Sequence, residues 1–185
     1  VDDFDIEESL DNFIFELSKI GINTLYVHAR IALLKGLNPK ENRTIPPLNY
    51  ERVRKIKRDF KKLNIIINGG IDNFEKAAND FRDLDGIMVG RTCYEYPYKL
   101  LDVDKLFYAK ENGNKDLNNI LDEMFHYINS LDSKNQRRAK YHMLNLFKGL
   151  SSAKKSRSLL LSSGENKKIN EQLKSFIHEN YIEAA

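Results

Sequence analysis

Apolar residues recur at helical spacing through the first twenty positions, at Ile6, Leu10, Phe13, Leu17 and Ile20, and Gly21 follows as a C-cap. The period then changes. "TLYVHAR" (24–30) reads as a short buried strand, and "IALLKGLNPKENRTIPPLN" (31–49) as a long, basic, proline-containing loop. Val53, Ile56 and Phe60 restore the helical period over 50–60, with Arg and Lys on the outward side. "NIIINGG" (64–70) predicts a second strand, "NFEKAANDF" (73–81) a helix and "GIMVG" (86–90) a third strand. Strands this short and apolar do not lie at a solvent face. Their alternation with helices predicts parallel strands and crossover helices, an α/β sheet or barrel.

After "YEYPYKLL" (94–101) the alternation stops. Leu117, Ile120, Leu121, Met124, Phe125, Ile128 and Leu131 make a strongly amphipathic helix, and further helices are predicted over 134–149, 151–163 and 167–181. "NGN" (Asn112 to Asn114) marks the joint. The expected organisation is an α/β part over 1–110 and an all-α bundle over 111–185. Three parallel strands led by a helix close no barrel, and the first would keep an unpaired edge. A (β/α)8 barrel takes about 250 residues. The expectation is therefore a chain cut from a longer one, or one that pairs with something else.

Composition adds little beyond an ordinary 41% hydrophobic and 31% charged chain of 185 residues. No apolar run approaches the ~20 residues of a membrane span. The single cysteine, Cys93, excludes an internal disulfide framework and suits a reducing compartment. Charge distribution changes the picture more. Residues 1–16 carry seven acids and no Lys or Arg, which is unlike a secretory or transit peptide. Residues 134–168 carry ten Lys or Arg against one acid, Glu165, a net of +9 that leaves −6 for the rest of a +3 chain.

The polar groups that could carry chemistry stand at strand ends: His28 with Arg30, Asn68 with Gly69 and Gly70, and Gly90 with Arg91. In parallel α/β folds ligands bind at that face. Two glycine turns after adjacent strands suit either tight βα connections or a phosphate grip, to which Arg91 would add a charge. His28 reads equally as a cofactor ligand or as a histidine bonded to a neighbouring loop. Cys93 reads as a small group at a helix start, and His126, His142 and His178 as structural or surface residues. No metal-ligand spacing such as CxxC or HExxH is present. The basic stretches "KNQRRAKYH" and "SSAKKSRS" are either a solvated helix face or a polyanion contact. Lys154 and Arg157, three apart, would straddle a phosphate backbone.

"YVHARIALLKGLNPKENRTIPPLNYERVRKIKRDF", then "INGGI", then "DGIMVGRTCYEYP" and "YHMLNLFKGLSSAKKSR" resemble, in order, the tRNA-dihydrouridine synthases and within them the A subfamily. The resemblance implies a TIM barrel that holds FMN, followed by a helical tRNA-binding domain. It implies NADPH-driven reduction of uridine to 5,6-dihydrouridine in the tRNA D-loop. It assigns FMN contacts to His28, Asn68, Gly69, Gly70, Gly90 and Arg91, and tRNA contacts to Lys40, Arg43, Lys154 and Arg157. The subfamily usually has Arg where Lys154 stands, so that contact would keep its charge but lose bidentate geometry.

The departures limit the expectation. The family's proton-donor cysteine lies in an Asn-x-Gly-Cys-Pro motif that nothing here matches, and Cys93 does not inherit its role. The flavin-binding lysine is also unmatched. The expected chain is thus the C-terminal half of a barrel, beginning just after its fifth strand, with the tRNA domain attached. Alone it would be inactive, and it would need the missing half or associate through its open sheet edge. Its expected location is cytoplasmic, an organelle being the other possibility. A non-catalytic RNA-binding module is the alternative, and an enzyme of a small phosphorylated metabolite a third reading that leaves the basic part without a role.

Overall fold

The computed structural model describes residues 6–33, 35–110 and 116–183, which divide into two compact units, Val1–Gly90 and Arg91–Ala185. The joint read at Asn112 to Asn114 lies outside the described residues. The first unit runs α1 (Ile6–Lys19), β1 (Thr24–His28), α2 (Tyr50–Asp59), β2 (Asn64–Asn68), α3 (Phe74–Asp80) and β3 (Gly86–Met88). The strands form one parallel sheet in the order β1-β2-β3. Thr24 pairs with Asn64 through to His28 with Asn68, and Asn68 pairs in turn with Met88.

That register decides what each face buries. Ile65 and Ile67 are fully buried against Val53 and Ile56 of α2, with Leu63, Ala77, Phe81 and Leu84 completing the core. Each such Val, Ile, Leu or Phe side chain contributes about 1.5–3 kcal/mol of hydrophobic stabilisation. The opposite face, which alternation gives to Tyr26 and Met88, has no cover among the described residues: these two are 67% and 46% exposed. β1 and β3 are the sheet's two edges.

Local chemistry sets the helix ends. Gly21, at φ +90°, closes α1 with its N–H on the Ser18 carbonyl, while the Ile22 N–H donates to Leu17. Asn49 and Asn73 cap α2 and α3 by accepting from the Arg52 and Lys76 N–H groups. One expectation for α1 fails. Phe13 and Ile20 are exposed, and Ile14 is the buried residue instead. The helix carries two neighbouring apolar stripes, and the one through Leu10 and Ile14 is the one that packs on the sheet core.

The second unit is helical throughout its described residues. It contains α4 (Arg91–Glu95), a 3-10 segment Pro97–Asp102, α5 (Val103–Tyr108), α6 (Leu117–Asn129), α7 (Ser133–Met143), α8 (Ala153–Leu160) and α9 (Asn166–Glu183). Leu117, Leu121, Phe125 and Ile128 of α6 pack with Phe147, Leu160, Ile169, Leu173 and Ile177. Polar ties add to this packing: Asp122 accepts from Asn170 and Lys174, and Asn166 donates to Asn129. The helix expected over 134–149 stops at Met143 and tightens to a 3-10 turn over Leu144–Phe147, ahead of Gly149 at φ +94°. Among the described residues no helix is long and apolar enough to cross a membrane.

Candidate functional site

Parallel pairing brings His28 and Asn68 side by side at the C-terminal end of the sheet. The Ala29 N–H donates to the Asn68 carbonyl at 2.8 Å, and Asn68 Nδ2 donates to the Met88 carbonyl at 2.8 Å, so the three strand ends are tied together. His28 Nδ1 accepts from the Arg30 N–H at 3.1 Å, which puts the neutral ring's proton on Nε2.

The two glycine turns differ. Gly69 and Gly70 have φ of +117° and +67°. A Cβ on Gly70 would overlap Leu48 Cδ1 and stand 3.2 Å from Tyr50 Oη, and one on Gly69 would stand 3.0 Å from His28 Cε1. Tyr50 Oη also donates to the Gly69 carbonyl at 2.9 Å. Backbone conformation and packing of the chain's own residues therefore account for both glycines. Gly90 is the reverse case, with ordinary φ and nothing within 4 Å of a Cβ. Its open side leaves backbone that a ligand could approach. Arg91, next in sequence, is exposed and opens α4 in the second unit.

Arg30 serves the loop that follows. Its guanidinium donates to the carbonyls of Thr44 (3.0 Å) and Pro46, its backbone bridges Leu48, and the Asn49 N–H returns to the Ala29 carbonyl. Within the loop Asn42 donates to the Leu33 and Leu37 carbonyls and accepts from the Leu33 N–H. Asn38 Oδ1 accepts from the N–H groups of Lys40 and Glu41, starting the 3-10 turn Glu41–Arg43. Lys40 and Arg43 are left exposed and make no ion pair among the described residues. Asn38, Asn42, Leu48 and Tyr50 escaped the sequence reading; only the Asn-Pro step at 38–39 carried a turn signal.

Electrostatically the units contrast. All five bases of α2 are paired: Arg52 and Lys55 with Asp11, Arg54 with Asp83, Lys57 with Asp85, and Arg58 with Glu51. Burial alone would raise the Asp85 pKa, but hydrogen bonds from Lys57 and the Ile65 N–H hold it below the ordinary value. In the second unit Lys134, Arg137, Arg138, Lys140, Lys154, Lys155, Arg157 and Lys167 make no ion pair among the described residues, whereas Lys148, Lys168 and Lys174 pair with Glu95, Glu165 and Asp122. Lys140 is buried, and burial lowers its pKa. Lys154 and Arg157 are both exposed on α8, and Arg157 Nε donates to the Ala153 carbonyl at 3.1 Å, which aligns its guanidinium along the helix.

Cys93 is half-buried, and burial raises its thiol pKa, the reverse of an activated nucleophile. His126, His142 and His178 are exposed. Among the described residues no three His, Cys, Asp or Glu are grouped to hold a metal ion.

A family model described as dihydrouridine synthase (Dus) matches residues 1–182. A Shewanella oneidensis protein named tRNA-dihydrouridine(20/20a) synthase is 40% identical over 162 residues, covering 86% of this chain and 48% of its own length. A Synechocystis protein of the same name is 41% identical over 167 residues, covering 88% of the chain and 49% of its own length. An Escherichia coli relative, also so named, is 40% identical over 163 residues, with 86% and 49% covered. The chain spans about half the length of the curated relatives it matches.

Proposed function

The chain belongs to the dihydrouridine synthase family, and from that membership we propose that it acts in the FMN-dependent, NADPH-driven reduction of uridine to 5,6-dihydrouridine in the tRNA D-loop. Bound FMN would supply the hydride chemistry. His28 and Asn68 would meet it at the sheet end, where the strand ties described above fix their positions. Gly90, open on its Cβ side, and Arg91 beside it would take the phosphate, with Gly69 and Gly70 shaping the adjoining turn. The open approach at Gly90 is what fits this end of a flavin. The uncovered Tyr26 and Met88 face and the free edge of β1 fit a further (β/α) segment that would complete the barrel.

Substrate contact falls to Lys40 and Arg43 on the braced loop and to Lys154 and Arg157 on α8. The observation that carries this assignment is the set of seven exposed bases over 134–167 that make no ion pair among the described residues, which suits an RNA backbone. No cysteine here matches the family's proton donor, so the chain alone would bind tRNA without turning it over, in a cytoplasmic setting. The missing donor equally favours a second reading, an RNA-binding module without chemistry.

Anisotropy titration of labelled tRNA against this chain, with and without a polypeptide carrying the remainder of the relatives' length, tests both. The proposal expects steeply salt-dependent binding by the chain, and dihydrouridine once the complement, FMN and NADPH are added. Binding with no dihydrouridine from a soluble, flavin-loaded mixture would favour the module; absence of binding would overturn both.

A further inference from the structure

On α7 Arg137 and Arg138 lie three and four residues after Lys134, and Tyr141 four and three after them, so the four share one side of the helix, and all four are exposed. α4 is fastened beside this stripe. Asn145 Nδ2 donates to the Tyr94 carbonyl at 2.9 Å, and Tyr94 Oη stands 3.3 Å from His142 Nδ1. The result is a face on the second unit in which two tyrosines are open to solvent, Tyr94 at 58% and Tyr141 at 46% exposure.

Both rings are oriented although exposed. Tyr94 packs edge-on to the His142 ring, centroids 6.2 Å apart at 71°, and the Arg137 guanidinium lies 5.8 Å from the Tyr141 centroid. No Asp or Glu occurs from Ser133 to Gly164. A solvated helix face calls for charge, but not for two held, outward aromatic rings. A protein-docking face would bring apolar residues, and its cations would face acids on the partner. Rings on which bases can stack, set among Lys134, Arg137 and Arg138, which make no ion pair among the described residues, suit nucleotides that are not paired. The acids bordering the face, Asp132 and Glu95, are engaged by the N–H groups of Lys134 and Asn135 and by Lys148.

We propose that this face of α4 and α7 binds unpaired nucleotides of an RNA, with bases stacked on Tyr94 and Tyr141 and phosphates held by Lys134, Arg137 and Arg138. The inference rests on the tRNA reading above and deepens it, adding a contact made by residues other than Lys154 and Arg157. Duplex RNA keeps its bases stacked on each other and gains only the phosphate contacts.

The test titrates a tRNA transcript and a fully paired RNA hairpin against the whole chain over a salt series, by anisotropy. Tyr94→Ala and Tyr141→Ala should each weaken tRNA binding about 5- to 100-fold with an unchanged salt slope, and leave hairpin binding as it was. Tyr141→Phe should bind like the parent, since the ring is what stacks. Arg137→Ala with Arg138→Ala should lower the log–log salt slope by roughly 1–2 for both RNAs. Circular dichroism melts confirm that the variants fold. If both alanine variants bind tRNA within twofold of the parent while Lys154→Ala or Arg157→Ala weakens it, the proposal falls and the tRNA reading stands. Equal losses on the hairpin, or loss with Tyr141→Phe, overturn it too, and a parent chain that binds no tRNA overturns both.

Discussion

Replacing Gly70 and Gly90 by alanine, one at a time, separates a glycine needed by the fold from one needed by a ligand. At Gly70, φ is +67°, a region that costs an L-residue about 1–2 kcal/mol. The added methyl would also overlap Leu48 Cδ1 and crowd Tyr50 Oη, whose bond to the Gly69 carbonyl holds the turn. Leu48 is partly buried and its end can rotate, so this adds about 1 kcal/mol. Together Gly70→Ala should destabilise by roughly 2–3 kcal/mol, a fall of about 1 M in the urea midpoint for a urea m-value near 2 kcal/mol/M. Gly90 has neither constraint, and its alanine should leave the midpoint unchanged or slightly raised. In the flavin-loaded, complemented protein the order reverses: Gly90→Ala should weaken FMN binding through the new methyl. Urea unfolding followed by circular dichroism, with FMN titration by fluorescence, reads both. A Gly70→Ala midpoint within about 0.2 M of the parent would refute the packing argument. A Gly90→Ala protein that binds FMN like the parent would refute the open-approach argument.

Three further outcomes follow from other parts of the chain. Asp85 titrates below its ordinary value when folded, so its contribution is present above the unfolded pKa of about 3.9 and disappears as pH falls through the folded one. Asp85→Asn should cost about 1–2 kcal/mol at pH 7 and little at pH 2, and urea midpoints at the two pH values check this. Arg30→Ala removes the donors to Thr44 and Pro46, so trypsin should cut within 31–49 at least several-fold faster, the second unit's own cleavage sites serving as the reference. Cys93, with its thiol pKa raised by burial, should react with iodoacetamide more slowly than free cysteine at pH 7.5, and Cys93→Ala should leave tRNA binding unchanged.

The sheet was readable because Ile65 and Ile67 sit in runs too apolar for a half-exposed strand, and parallel order follows from the helices between them. Phe13 and Ile14 show where periodicity stops: both lie on apolar stripes of one helix, and only the position of the sheet selects Ile14. The glycine turns were found, but the cause of Gly69 and Gly70 was not, since Leu48 and Tyr50 come from about twenty residues upstream and no spacing rule connects them. Likewise Arg30 looked like a site residue by position and proves to anchor the loop. The charge contrast needed no structure, because a segment almost without acids cannot pair its own bases. What pairing adds is that four of the five bases of α2, just as dense in sequence, are neutralised by Asp11, Asp83 and Asp85 from other elements.

As proposed, this chain would supply the flavin-phosphate end and the tRNA grip of a dihydrouridine synthase. The direct measurement replaces the matching half of the Escherichia coli relative with this chain and counts dihydrouridine by mass spectrometry in tRNA incubated with FMN and NADPH. The expected result is dihydrouridine in the D-loop, lost when Arg43, Lys154 and Arg157 are together changed to alanine. A soluble, flavin-loaded chimera that binds tRNA yet leaves every uridine unreduced would contradict it.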